Sequence, residues 1–178
     1  MKKARLLVTY QCPRSCEGCC NKEWKGPQPE PIDPEDLKDY DEIIVTGGEP
    51  TLFQEQLDML VTDLVAARLI IYSASPDGVA KLDLEVWDGI TLTLHDDKAV
   101  DEFDARVADG SLDFSDAIKY DKCNISLRLH VFEGVRQPAF TGGWKIKKDL
   151  VWIKDCPLPV GEEFFRLHKL FEEEDHGR

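Results

Sequence analysis

At 178 residues, with 42% hydrophobic and 32% charged residues, the chain can bury a substantial core and is not composed like a disordered one. Its 22 basic and 35 acidic residues leave a net charge of −13, which opposes non-specific binding to a phosphate backbone. No apolar run is long enough to span a bilayer, and MKKARLLVTYQC reads as a first strand rather than a secretory signal. The expectation is one domain in the cytoplasm, with neither membrane nor nucleic acid among its partners.

In chain order, a first strand is predicted near residues 5–10. The proline-rich GPQPEPIDPED reads as a loop, in which Asp33 can cap a short helix with Pro34 at its first position. DEIIVTGG is a second strand. A helix follows, with Leu57, Leu60, Val61, Leu64 and Val65 on one stripe. RLIIYSAS and GITLTLH are the third and fourth strands, and a helical stretch over about 99–120 is interrupted near Gly110. NISLRLHVF is a fifth strand and KDLVWIK a sixth, joined across 134–144 by a crossover with no helical pattern. GEEFFRLHKLFEE is predicted to form a C-terminal helix burying Phe164, Leu167 and Phe171 ahead of an acidic tail.

Strands alternating with helices predict an α/β fold with a mainly parallel sheet. Thr91, Thr93 and His95 share one face of the fourth strand, and Ser126, Arg128 and His130 one face of the fifth. One side of the sheet therefore meets helices and the other meets something polar. A partial (βα)6-type barrel with a truncated last βα unit accounts for both, its functional groups gathering at the carboxyl ends of the strands. An antiparallel sheet with one wetted face is the alternative.

Of the six cysteines, Cys12, Cys16, Cys19 and Cys20 crowd into CPRSCEGCC, while Cys123 and Cys156 stand apart. Disulfide frameworks spread their cysteines along small secreted domains, whereas clustered cysteines more often hold a metal or do redox chemistry. Three thiolates at Cys12-x3-Cys16-x2-Cys19 suit three irons of a 4Fe–4S cluster, with the fourth iron open. A structural zinc site is the competing reading. It needs a fourth ligand, and Cys20 directly adjoins Cys19 with no histidine at finger spacing. Cys123 and Cys156 read as core thiols, although Cys156, before Pro157 at the end of the last strand, stands where a residue could face the site. TGGEP, residues 46–50, closes the second strand. Its glycines would let a backbone approach a ligand, and Glu49 could accept from an ammonium; a plain turn is the alternative.

Cys-x3-Cys-x2-Cys after a first strand, then Gly-Gly-Glu at the end of a second, resembles the radical S-adenosylmethionine superfamily over roughly residues 5–155. The resemblance implies a 4Fe–4S cluster on Cys12, Cys16 and Cys19 whose unique iron is chelated by S-adenosylmethionine. It implies an oxidoreductase-type enzyme in which one electron cleaves the sulfonium, giving methionine and a 5′-deoxyadenosyl radical that abstracts a substrate hydrogen. By the same resemblance Gly47, Gly48 and Glu49 contact the methionine amino group, and the backbone at Cys20 meets the adenine. Ser73, Ser75, His95, Arg128 and His130 fall where the family contacts the ribose and the methionine carboxylate. Each also has an ordinary structural reading, as a loop cap or a strand residue. His95 stands where some members carry a lysine.

Gly18, Asn21 and Trp24 extend the likeness to the activases of glycyl radical enzymes, notably that of anaerobic ribonucleotide reductase. That likeness implies a glycyl radical enzyme as protein substrate and an electron donor such as flavodoxin or ferredoxin. Compact members making 7-carboxy-7-deazaguanine share the truncated architecture and imply a small-molecule substrate instead. A non-catalytic module stabilised by zinc or a cluster is the reading outside enzymes.

Overall fold

The structure, a computed structural model, describes residues 1–64, 67–115 and 125–171. The described residues build an α/β fold around one open, all-parallel sheet of eight strands in the order β2-β8-β1-β3-β4-β5-β6-β7. The strands are β1 (Lys3–Leu7), β2 (Glu30–Ile32), β3 (Glu42–Thr46), β4 (Arg68–Ser73), β5 (Gly89–Leu94), β6 (Ser126–Phe132), β7 (Lys145–Leu150) and β8 (Glu162–Leu167). The helices are α1 (Cys20–Glu23), α2 (Gln54–Asp63), α3 (Pro76–Val79) and α4 (Asp97–Ala108). No helix among the described residues is long and apolar enough to cross a membrane.

The sheet is two-sided in the way the alternation of β5 and β6 predicts. Leu6, Ile43, Val45, Ile71, Leu92, Leu94, Leu129 and Val131 form one core with Leu57 and Leu60 of α2 and Val100 and Phe103 of α4. Arg5, Thr46, Tyr72, Thr93 and His130 occupy the other face, where they line a cavity. Helices therefore cover one face, and the side chains of successive strand residues alternate between core and cavity. Parallel pairing throughout removes the antiparallel alternative. Both edges are protected against further pairing: β2 carries Pro31, and β7 carries Lys145, Lys147 and Lys148. At the amino end, buried Glu42 of β3 is held by Lys3 of β1 at 2.8 Å and Arg68 of β4 at 2.8 Å, charges brought into register by the parallel ladder.

Several expectations are corrected. The C-terminal segment is a strand, not a helix: β8 inserts between β2 and β1, so the sheet runs past residue 155. Phe165 and Leu167 pack against the core while Phe164 lines the cavity, an alternation only an extended chain provides. The proline-rich loop contributes β2, and the short turn at Pro34–Leu37 is a 3-10 helix that Asp33 precedes without a side-chain cap. The sixth strand starts three residues earlier than expected, so Val151–Ile153 lies beyond it. The first part of the long helical stretch ends at Ala108, its interruption at Gly110 as expected, and Leu112 returns to the core. The crossover from β6 to β7 is an irregular loop, as expected. Val65, Cys123, the end of that helical stretch and the acidic tail lie outside the described residues.

Candidate functional site

The cysteine loop leaves the carboxyl end of β1, TGGEP leaves that of β3, and His95 follows β5. In an open parallel sheet this edge is where ligands bind. The two motifs are physically joined. Gly48 N–H donates to the Thr9 carbonyl at 2.7 Å, and Glu49 N–H donates to the Gln11 carbonyl at 2.8 Å, so the chain before Cys12 runs against the Gly-Gly pair. A Cβ on Gly47 would meet the Thr9 carbonyl oxygen, and one on Gly48 the Gln11 carbonyl oxygen. Gly47 also has φ +153. These glycines are required by the approach of the cysteine loop, whatever else comes near them.

Glu49 is 1% exposed and turned inward. Its Oε1 accepts from Thr51 N–H at 3.2 Å, Thr51 Oγ1 at 2.6 Å and Ser73 Oγ at 2.8 Å, and its Oε2 accepts from Ala74 N–H at 2.8 Å. The carboxylate thus ties TGGEP to the end of β4 and is consumed by the protein. Ser73 is engaged in that bond, and Ser75 Oγ accepts from Gly78 N–H at 3.0 Å to cap α3. Neither serine nor Glu49 lines the cavity.

Cys12, Cys16 and Cys19 are free thiols, each partly exposed. Burial pushes the Cys12 thiol above its ordinary value, and the Glu49 carboxylate and Cys19 add to the shift. Burial does the same to Cys16, with Cys12, Cys19 and Asp96 adding and Arg14 opposing. Loading a metal on these thiols would therefore release protons and favour higher pH. Among the described residues no three His, Cys, Asp or Glu side chains converge closely enough to hold a metal ion. The donor chemistry fits an iron–sulfur cluster, while convergence of the thiols requires the loop to draw in.

Arg14, which nothing in its spacing marks, anchors that loop. Its guanidinium bonds Asp96 at 3.1 Å and Glu102 at 3.5 Å, and Asp96 Oδ1 accepts from Ala99 N–H at 2.7 Å to cap α4. Next to it, Cys16 Sγ lies 3.4 Å from His95 Nδ1. The His95 ring stacks on Trp152 at 5.0 Å and meets Phe132 edge-on at 4.9 Å.

A cavity of about 450 Å³ opens beside the loop. Of the residues singled out from sequence, Cys20, Gly47, His95 and His130 line it, with Asn21 and Trp24. Cys156 also lines it, and so do Arg5, Tyr72, Phe132, Trp152 and Phe164, which were not foreseen; on the strands, Arg5 and Tyr72 follow from alternation alone. Arg5 is paired with Glu162 at 2.8 Å and lies over the Tyr72 ring at 4.9 Å. Arg128 and Thr91 are opposite each other in the β5–β6 register, and Arg128 Nε and Thr91 Oγ1 are buried without partners.

Cys156 is not a core thiol. It forms a disulfide with Cys20, 136 residues away, with Cα atoms 5.4 Å apart, and both half-cystines line the cavity. Cys20 is thereby removed as a fourth thiolate on the loop.

Burial, reinforced by the Arg14 guanidinium, lowers the His95 pKa to about 4. Burial, then Lys147 and Arg128, lowers that of His130. Both rings are neutral at pH 7, and the unfolded chain protonates them first. The associated stability is present above the ordinary histidine range and is lost as pH falls from about 6.5 toward 4. His95→Gln is expected to flatten this loss by about 3 kcal/mol, read as the change in urea-unfolding free energy between pH 7 and pH 4.

No family model matches the chain, and no curated protein matches it.

Proposed function

We propose that the protein is a radical S-adenosylmethionine enzyme, its cysteine loop holding a 4Fe–4S cluster through Cys12, Cys16 and Cys19. The observation that supports this best is the meeting, at the carboxyl edge of one parallel sheet, of a three-thiol loop, a Gly-Gly-Glu turn and a cavity. The strands β1, β3, β4, β5, β6 and β7 are read as a six-stranded partial barrel, extended by β8 and β2 at its first edge. When bound, the cluster would supply the electron that cleaves the sulfonium of S-adenosylmethionine.

The chain's own residues have separable tasks in this reading. Arg14 and the Thr9–Gly48 backbone bond orient the loop. Trp24, Tyr72, Phe132 and Trp152 exclude water and offer flat faces, whereas the unpartnered Arg128 Nε and Thr91 Oγ1 are buried outside the cavity lining. Glu49 supports the loop from behind rather than accepting from the cofactor's ammonium, a task left to backbone carbonyls near Gly47. A cavity of about 450 Å³ suits one small molecule, so a larger substrate, including a glycyl radical enzyme, would approach from outside it.

Anaerobic reconstitution with iron and sulfide is the test. The expected product is brown, with about four irons per chain, as Cys-ligated 4Fe–4S clusters require. Cys12→Ala, Cys16→Ala and Cys19→Ala each should lose that iron, whereas Cys20→Ala should retain it. A colourless protein that takes up one zinc through four thiolates would support the non-catalytic module instead.

A further inference from the structure

Between the last residue of β7 and the first of β8 lies a strap, residues 151–161, that takes no part in the sheet. The final sheet bond on its amino side is Glu133 N–H to the Leu150 carbonyl at 2.8 Å. Its backbone hydrogen bonds among the described residues are short-range turns: Cys156 N–H to Ile153 at 3.1 Å and Glu162 N–H to Pro159 at 3.2 Å. Val151 and Ile153 are exposed, and Val160 fully so. Asp155 and Cys156 have φ of +61 and +42, conformations uncommon for residues with a Cβ, and Pro157 further restricts Cys156. Its sparse backbone hydrogen bonds and exposed side chains leave this segment loosely held by local contacts, with Cys156 the buried exception.

It is nevertheless fastened across the cavity at two points. Trp152 inserts between the His95–Phe132 pair and the cysteine loop, where a Cβ on Gly18 would lie 2.7 Å from its ring. Four residues on, Cys156 is bonded to Cys20, with Cys156 Sγ 3.8 Å from the Gly18 carbonyl oxygen. One covalent bond therefore couples a segment of weak intrinsic order to the loop bearing Cys12, Cys16 and Cys19.

We propose that Cys20 and Cys156 are a reversible thiol–disulfide latch that fastens the strap over the cavity when oxidised and frees it when reduced. The exchange balances with a small thiol as co-reactant. A thiolate attacks one sulfur of the Cys20–Cys156 bond, giving a mixed disulfide and one protein thiol. A second small thiol then displaces the other cysteine, leaving two protein thiols and one small-molecule disulfide. Closure is the reverse, with a small disulfide as oxidant. Oxidation therefore closes the wall formed by Trp152 and Cys156 and withholds Cys20 from the cysteine loop. Reduction opens the wall and lets Asp155 and Cys156 leave the left-handed region. Neither cysteine belongs to the three proposed cluster ligands, so the latch does not depend on the cluster.

The test uses the full, metal-free chain equilibrated with oxidised or reduced glutathione, then alkylated and mapped, with amide hydrogen exchange followed in parallel. In oxidised glutathione, Cys20 and Cys156 should be recovered as one cross-linked peptide pair while Cys12, Cys16 and Cys19 alkylate. In reduced glutathione both should alkylate, and the Cys156 amide, which among the described residues donates to the Ile153 carbonyl at 3.1 Å, should exchange about tenfold faster or more. Cys20→Ser and Cys156→Ser should exchange at the fast rate in both buffers. The latch is overturned if the strap exchanges equally in the two states of the unsubstituted chain. It is also overturned if Cys20 and Cys156 alkylate freely in the oxidising buffer or cross-link to other cysteines. Loss of the latch would leave iron uptake by Cys12, Cys16 and Cys19 unaffected, so the two readings fail separately.

Discussion

Glu49→Ala is expected to cost about 4 kcal/mol of folding stability, a large part of what a chain of this size possesses. The substitution strands Thr51 N–H, Thr51 Oγ1–H, Ser73 Oγ–H and Ala74 N–H, all now donating to one carboxylate that is 1% exposed. Each buried donor left unmade costs about 1–3 kcal/mol, reduced where the hydroxyls rotate to other acceptors. Glu49→Gln sharpens the attribution. Its amide oxygen can replace Oε1 and keep the contacts to Thr51 and Ser73, but its NH2 group would then face Ala74 N–H. The glutamine variant should lose about half as much as the alanine variant in urea unfolding. Equal stability of all three chains would mean that the carboxylate is not holding TGGEP to β4.

Gly48→Ala is the second large effect, at roughly 3 kcal/mol, and it should act through the cysteine loop. The added Cβ would overlap the Gln11 carbonyl oxygen and lie 2.8 Å from the Tyr10 carbonyl carbon, both backbone atoms that no rotamer change can move. Relief requires the strand extension through Gly48 and Glu49 to part from Thr9 and Gln11, breaking bonds of 2.7 and 2.8 Å immediately before Cys12. Gly134→Ala provides the comparison. That glycine has φ +78 with nothing within 4 Å, so its substitution should cost only the left-handed penalty, about 1 kcal/mol. Hydrogen exchange at Gly48 and Glu49 should accelerate in Gly48→Ala and stay unchanged in Gly134→Ala.

The sheet was legible where strands are apolar on at least one face. β3 and β4 carry short runs rich in β-branched residues, such as EIIV and LIIY, and β6 a strict alternation, SLRLHVF, that suits an extended chain. β8 was misread because Phe164, Leu167 and Phe171 fit a helical stripe as well as they fit a strand and its exit. What decides between them is the vacant edge of β1, a long-range fact that no local window contains. β2 is three residues long and includes a proline, so its pairing with β8 left no periodic trace.

The site was legible to the extent that its residues are close in sequence. CPRSCEGCC and TGGEP declare themselves by spacing, and their junction through Thr9 and Gln11 follows from the pairing of β1 with β3. The inward turn of Glu49 was not legible, since its partners Ser73 and Ala74 arrive from β4. Nor was the bond between Cys20 and Cys156, whose sequence separation of 136 hides it from any spacing rule. Trp152 was assigned to a strand, and only the early end of β7 turns it toward His95 and the cysteine loop.

The central claim is cleavage of S-adenosylmethionine at a cluster on Cys12, Cys16 and Cys19. Its most direct measurement is 5′-deoxyadenosine formed by the anaerobically reconstituted protein with dithionite and S-adenosylmethionine, beside a Cys16→Ala chain treated identically. The account predicts 5′-deoxyadenosine and methionine in equal amounts from the unsubstituted chain and none from Cys16→Ala. Equal, background-level 5′-deoxyadenosine from the two chains would contradict it.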